Sequence, residues 1–480
     1  MNKVTPAITL IVLVAVAIGC TALMLVFPKD GINVAGLPLK FKTWDSVFDT
    51  TSVKQIEDVG AFLAQLDSAS SDSTGLDSIK VQRIQAITSL QFKNEDSSPM
   101  FSFFEALHSA RDKGENIHIL HYGDSQIEVD RMTSMLREEW QADFGGTGPG
   151  LISPVPIAPS AAISQSQSAN WKRYTAYGFD EGKAAHNKYG VMASFGRFTA
   201  QRSAAEIVPT DSTSAWLEFR PSGMSASTCR VYNEATLFFG HHKAGVRIEV
   251  LVNDSVVASE HFPATDGVIS HTWKFSNTPK KLRFVFTGAD SPDVQAVLLE
   301  STKGVHVDNI ALRGSNGNIF RKIDGSELSS QMRDLNVKFV IMQFGGNSIP
   351  YVSGEKSARD YASFFQSQIQ YLKSLNPNAS FLIIGPSDMS TSINGVYQTW
   401  PYLENVVAAM RDAAFAEGCA FWDMYSVMGG KNSMVSWVNN NPPYAGKDYT
   451  HFTPGGARKV ADLLYKSILR EYEAWHAAVK

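Results

Sequence analysis

The spacing of hydrophobic residues changes character along this chain, and the changes divide it. Residues 5 to 27 carry no charge and are overwhelmingly apolar, a length that crosses a bilayer as one helix. From 29 to 97 periodic segments are few. Asp67-Ser68-Ala69-Ser70-Ser71-Asp72-Ser73-Thr74-Gly75 has the composition of solvated chain, so a stalk with some helix is expected. Phe101, Phe104 and Leu107 then recur at helical spacing, and an apolar run, His118-Ile119-Leu120-His121-Tyr122, predicts a strand that delivers Gly123-Asp124-Ser125. A helical pattern follows immediately, with Met132, Met135, Leu136 and Trp140 on one face and Asp130, Arg137 and Glu138 on the other.

Between about 155 and 304 the pattern shifts to short β-type runs separated by turn residues: 215–219, 235–239, 246–252, 281–286 and 294–299. Several alternate strictly, as the half-wet strands of a sandwich do. The α/β pattern then resumes with strands expected at 305–312, 339–344, 381–385 and 420–424, helices near 359–374 and 402–417, and a last amphipathic helix started by Thr453-Pro454. With 117–122 these make five strands alternating with helices. The expected fold class is therefore α/β, a doubly wound parallel sheet interrupted by an all-β domain. The domains expected are a membrane anchor or signal (1–28), a stalk (29–97), a first α/β part (98–154), the β domain (155–304) and a second α/β part (305–480).

Composition narrows the function. A net charge of -4 over 480 residues, with no basic stripe, argues against a nucleic-acid partner. Cys20, Cys229 and Cys419 are too few and too scattered for a disulfide framework or a cysteine metal site. Ala17-Ile18-Gly19-Cys20 faintly resembles a lipoprotein cleavage box. The apolar run continues past the cysteine, so an uncleaved anchor is favoured. Lys3 and Lys29 flank the span almost symmetrically, and an outward orientation follows only from the segment's N-terminal position.

Ser125 stands where an open α/β sheet binds ligands, at a strand's carboxyl end. A serine nucleophile needs a base, a group to orient that base, and donors for the oxyanion. Asp448-Tyr449-Thr450-His451, just before the last helix, supplies an acid three residues ahead of a histidine. Gly314 follows the second strand and Asn347 the third, on the same rim. A glycine lets a backbone NH approach closely, and an asparagine amide donates without adding charge. Each alone is commonly a turn residue; the conjunction and its order carry the weight.

In that order, Ser125, Gly314, Asn347, Asp448 and His451 resemble the motif set of the SGNH (GDSL-type) hydrolases, over a little under half the chain. The resemblance implies a flavodoxin-like sheet, Ser125 as nucleophile, His451 as base, Asp448 as its orienting partner, and an oxyanion hole from the Ser125 NH, the Gly314 NH and the Asn347 side chain. It requires no cofactor and no metal. Gly123-Asp124-Ser125-Gln126, the later Phe144-Gly145-Gly146-Thr147-Gly148-Pro149-Gly150 and the inserted β domain look like the peptidoglycan O-acetylesterase branch, in which the insert resembles a carbohydrate-binding jelly roll. Gln126 stands where that branch often has histidine, and Ser348 where the family commonly has an acid. The implied protein is an inner-membrane, single-pass serine esterase facing the bacterial periplasm or cell envelope and removing O-acetyl groups from peptidoglycan or another polysaccharide. The alternatives are a polysaccharide O-acetyltransferase with the same triad, a lipid acylhydrolase, and a non-catalytic carbohydrate-binding protein.

Other features have plain readings. The glycine run at 145–150 follows a helix and reads as a helix stop rather than a dinucleotide loop. His241-His242 reads as a hairpin turn rather than a metal pair, Asp388 as a cap or turn, Cys419 as a small buried hydrophobe. Trp171, Tyr174, Tyr177 and Tyr189 fit a sugar platform or, more commonly in β domains, core.

Overall fold

The computed structural model describes residues 15, 19, 21, 22, 32–34, 37–39 and 85–479, except 179–181, 203–205 and 208. The apolar segment 5–27 therefore lies outside the described residues, apart from four helical positions. Among the described residues no helix is long and apolar enough to cross a membrane. Within the stretch expected to be a stalk, Ile32–Val34 and Leu37–Leu39 form a two-stranded antiparallel ladder.

The sheet that carries the candidate site has five parallel strands: β1 (Asn116–Gly123), β2 (Gly304–Ala311), β3 (Val337–Gln343), β4 (Ser380–Ile384) and β5 (Ala420–Trp422). Their order is β2-β1-β3-β4-β5, all parallel, as expected from the sequence. Nearly every residue of β1, β3 and β4 is buried, the mark of a parallel sheet covered on both faces. One cover packs α1 (Phe101–Lys113), α2 (Thr133–Phe144) and the C-terminal helix α6 (Pro454–Val479) together. The other packs α3 (Gly325–Asp334), α4 (Glu355–Leu375) and α5 (Leu403–Ala416). In α4, Ala358, Tyr361, Ala362, Phe365, Ile369 and Leu372 are buried at i, i+3 and i+4 spacing. Its start is secured by the Ser357 hydroxyl, which accepts from the Gly354 NH at 3.1 Å. The free edge beyond β5 is covered by Gln91, whose NH and C=O pair with Phe421 at 2.7 and 2.9 Å. Residues near 91, assigned to the stalk by composition, thus extend the sheet.

The inserted β region is a sandwich. One sheet runs Ser255–Phe262, Val246–Val252, Leu282–Gly288, Thr213–Pro221, Ile163–Gln167; the other runs Thr265–Lys274, Glu234–His242, Asp293–Glu300, Ser194–Arg197, Lys172–Thr175. Between them lie Leu217, Phe219, Phe239, Ile248, Val250 and Phe284. The edge strands at 255–262 and 265–274 were not expected from the sequence, because most of their side chains are exposed and show no apolar alternation. Gly150–Ile152 pairs with Asp293–Glu300, so the chain enters the sandwich ahead of residue 155. The preceding glycines permit that entry. Gly148 sits at φ +104, and a Cβ there would strike the backbone of Leu299 and Glu300.

Trp171, Tyr174, Tyr177 and Tyr189 are all buried, which makes them core and not a sugar platform. His241 and His242 end a strand instead of forming a hairpin turn, and His241 Nε2 pairs with Glu327 Oε2 at 2.8 Å. Sandwich and α/β sheet are joined through His118 in β1. Its Nε2 meets Glu300 at 3.0 Å and its Nδ1 meets Asp308 at 2.7 Å, with all three side chains buried. Burial alone would lower the His118 pKa, but the two carboxylates outweigh it and push it up to about 10.

Candidate active site

The helix after Ser125 does not begin at once: α2 starts at Thr133. Val129 and Asp130 intervene at φ +64 and +65, left-handed values that a β-branched valine rarely adopts. Buried contacts hold the detour. Asp130 is drawn inward to pair with Arg137 at 2.6 Å, and the Val129 carbonyl accepts from the Ala161 NH. The consequence is a longer rim around Ser125.

A strand order of 2-1-3-4-5 reverses direction between β1 and β3, and crevices form outside the carboxyl ends of strands at such a switch point. Ser125 follows β1, Gly314 follows β2, Asn347 follows β3 and His451 precedes α6. The fold brings them together. Ser125 Oγ lies 2.8 Å from His451 Nε2, and His451 Nδ1 lies 2.8 Å from Asp448 Oδ2. Asp448 Oδ1 also accepts from the His451 NH at 3.1 Å and the Thr450 NH at 3.0 Å. Partial burial would raise the Asp448 pKa, but these hydrogen bonds outweigh it and hold the carboxyl below its usual range.

Ser125, Gly314, Asn347 and His451 line one cavity of about 260 Å³, floored by Met389 and Met424 and rimmed by Tyr351. The NH groups of Ser125 and Gly314 make no hydrogen bond among the described residues. Gly314 stands at φ +76 with open space where a Cβ would be, so its conformation, rather than packing, calls for glycine. Asn347 Nδ2 donates to Asp124 Oδ2 at 3.1 Å and to the Ser315 carbonyl at 3.0 Å. Asp124 therefore serves two neighbours, since its Oδ1 accepts from the Gln126 NH at 2.9 Å and shapes the turn. Burial is the main reason its pKa is pushed up to about 6, and the hydrogen bonds and His451 only partly oppose it.

Two contacts were not visible in the sequence. Gln126 brackets His451: its Nε2 donates to the Thr450 carbonyl at 2.9 Å and its Oε1 accepts from the Phe452 NH at 3.0 Å. Glu128 grips Arg313 through two hydrogen bonds of 2.7 and 2.8 Å, tying the Ser125 loop to the residue ahead of Gly314. Sequence marks Gln126 only as a departure from a motif, and no spacing rule connects Glu128 to Arg313. Asp388, also near the rim, is buried. It accepts from Met434 NH at 2.7 Å and Thr399 Oγ1 at 2.8 Å, clamping the hairpin Ser390–Ile393/Val396–Thr399 to the helix Ser433–Asn439.

This sheet order, with a serine after the first strand and a histidine just before the last helix, is the arrangement that the sequence resemblance to the SGNH (GDSL-type) hydrolases implies. Among solved structures the chain is similar to a peptidoglycan O-acetylesterase, with a TM-score of 0.60 and 19% identity over 79% of this chain and 97% of that one. At that identity the likeness is one of fold. It is also similar to a family two carbohydrate esterase from Cellvibrio japonicus (TM-score 0.23, 9% identity, 65% of this chain, 99% of that one). A salicylyl-acyltransferase of a tetracycline biosynthetic pathway gives a TM-score of 0.29 and 9% identity over 67% of this chain and 96% of that one. TM-scores this low carry no weight for the fold. No family model matches the chain, and neither does the sequence of any curated protein.

Proposed function

We propose that this protein is a serine esterase that removes short acyl groups, O-acetyl above all, from a cell-envelope polysaccharide. The observation that carries the reading is the relay Ser125–His451–Asp448, two contacts of 2.8 Å each, beside a cavity lined by Ser125 and Gly314, whose NH groups make no hydrogen bond among the described residues. Ser125 Oγ attacks the ester carbonyl carbon while His451 Nε2 takes its proton. Asp448 holds the ring with Nδ1–H inward and stabilises the imidazolium that forms. The tetrahedral oxyanion is met by the Ser125 NH, the Gly314 NH and the Asn347 amide, which exchanges one of its present acceptors for it. His451 then gives the proton to the departing sugar oxygen, leaving acyl-Ser125. Water, deprotonated by His451, attacks the acyl carbon; the bond to Ser125 Oγ breaks, His451 returns its proton to that oxygen, and the acid leaves and ionises to carboxylate.

Cavity size supports a short acyl group. About 260 Å³ falls below the roughly 300–1,000 Å³ of pockets that enclose drug-sized ligands, which disfavours a lipid acyl chain. The fold shared with a peptidoglycan O-acetylesterase supports an acetylated cell-wall glycan as substrate. The apolar segment 5–27 supports single-pass anchoring in the inner membrane with the catalytic part in the periplasm. The same acyl-serine handed to a sugar hydroxyl instead of water makes an O-acetyltransferase, and acyl transfer to deacetylated glycan in excess of acetate release identifies it.

The test is acetate release from isolated cell-wall glycan and from a chromogenic acetate ester by wild type, Ser125→Ala and His451→Ala. Loss of release in both variants is expected; equal release by all three refutes the assignment. Faster cleavage of long acyl esters than of acetate refutes the short-acyl part alone.

A further inference from the structure

A shallow open groove of about 470 Å³ adjoins the acyl cavity, and the two share Ser125, Gly314, Asn347 and His451. A bound ester with its acyl group in the cavity has its alcohol side in this groove. The groove is charged. Its charged side chains beyond the shared residues are Glu128, Arg131, Arg313 and Asp448. Three of these four are committed: Glu128 and Arg313 hold each other through two hydrogen bonds, and Asp448 is engaged by His451.

Arg131 is the remaining charge. It makes no hydrogen bond or ion pair among the described residues, and its Nη1 is shielded from solvent without a partner. Its position also works against local stability. It immediately precedes Met132, the N-cap of α2, where the helix dipole disfavours a cation. Arg131 lines the groove with no anion paired to it among the described residues, and a ligand seated there can supply one. The planar fork of arginine suits a carboxylate.

From this geometry we infer that the groove beside Ser125 binds the carboxylate of an acidic glycan through Arg131, making Arg131 a specificity-determining residue; the inference rests on the esterase reading. The substrate is then an O-acylated glycan with a carboxylate close to the ester. That carboxylate belongs to a uronate ring or to a peptide or lactyl substituent, and the chemistry recognised is the same.

The test compares kcat/KM for O-acetylated polyuronate oligosaccharides, O-acetylated disaccharide–peptide fragments and neutral O-acetylated xylan oligosaccharides. Wild type, Arg131→Ala, Arg131→Lys and, as a surface control, Arg359→Ala are assayed on each. Wild type should prefer an acidic substrate over the neutral one by about 10- to 100-fold, the scale of a hydrogen bond to a charged group. Whichever acidic substrate is preferred identifies the carboxylate's source. Arg131→Ala should collapse that ratio to near one, Arg131→Lys should keep part of it, and raised salt should erode it in wild type. A ratio near one in wild type, or one that survives in Arg131→Ala, overturns the inference. Binding of the de-esterified acidic oligosaccharides to Ser125→Ala, measured by calorimetry with and without Arg131→Ala, is independent of turnover. Affinity about tenfold weaker without Arg131 supports the site, and equal affinity overturns it. The esterase reading stands or falls separately, on whether Ser125→Ala abolishes hydrolysis of the neutral substrate.

Discussion

Replacing Gln126 with leucine removes a side chain that holds both sides of His451, at Thr450 and at Phe452. The two contacts differ in what their loss costs. Phe452 is buried, so its NH, deprived of the Gln126 Oε1 at 3.0 Å, bears the penalty of an unsatisfied buried donor, about 1–3 kcal/mol. Thr450 is half-exposed, and its carbonyl can turn to water. Losing that bond costs about 0.5–1.5 kcal/mol, so Gln126→Leu should lower the unfolding free energy by about 1.5–4.5 kcal/mol. The catalytic effect comes from the loop. His451 Nε2 sits 2.8 Å from Ser125 Oγ, and a drift of about 1 Å in such a pair costs about a hundredfold in rate. The assay is steady-state hydrolysis of a small acetate ester alongside urea unfolding. A kcat about a hundredfold lower with little change in KM is expected. Gln126→Glu separates positioning from general loosening. It keeps the acceptor for Phe452, loses the donor to Thr450 and sets a negative charge beside His451, so the acid limb of the pH–rate profile should move to higher pH. If Gln126→Leu keeps kcat within about threefold of wild type, or Gln126→Glu leaves that limb in place, the proposed role of Gln126 is wrong.

Three further outcomes follow from buried charge and from the rim. Asp124, raised from 3.8 to about 6 in the folded state, contributes stability that is full below pH 3.8 and lost as pH rises through 6. Chemical unfolding from pH 4 to 7 should therefore shift in favour of Asp124→Asn over wild type by about 2 kcal/mol; a pH-independent difference contradicts the assignment. His118 is raised from 6.5 to about 10 and its partner Glu300 lowered from 4.5 to about 2. The histidine's contribution fades as pH climbs from 6.5 through 10 and the carboxylate's as pH falls from 4.5 through 2. His118→Leu should cost about 3–5 kcal/mol between pH 4.5 and 6.5, less at pH 9, and a cost flat across pH 5 to 9 rejects the buried ion pair. Tyr351, 84% exposed at the cavity mouth, offers a ring to a sugar. Tyr351→Ala should raise KM for glycan about fivefold through loss of about 1 kcal/mol of stacking, and an unaltered KM removes it from the glycan-binding surface.

What could be read from the sequence, and what could not, separates along a physical line. Ser125, Gly314, Asn347 and His451 are legible because each follows a strand or precedes a helix whose periodicity is strong, and a parallel sheet sends all such loops to one rim. The five strands are legible to within one or two residues for the same reason, since buried parallel strands are continuous apolar runs. The edge strands of the sandwich were missed because a solvated strand carries little periodic signal. The late start of α2 was missed for a different reason. Met132, Met135, Leu136 and Trp140 do share a helical face, but the left-handed Val129 and Asp130 ahead of them are imposed by a buried pair and by a contact with the sandwich. Gln126 was conspicuous only as a mismatch, and its purpose depends on Thr450 and Phe452, 324 and 326 residues away. Arg131 could not be singled out at all. An arginine near a helix start is ordinary in a sequence, and it becomes informative only when the fold fills its surroundings and leaves the one charge unanswered beside Ser125. Periodicity locates the rim on which chemistry can occur; the partners that aim a nucleophile, and the charge that selects its substrate, come from closure of the sheet around it.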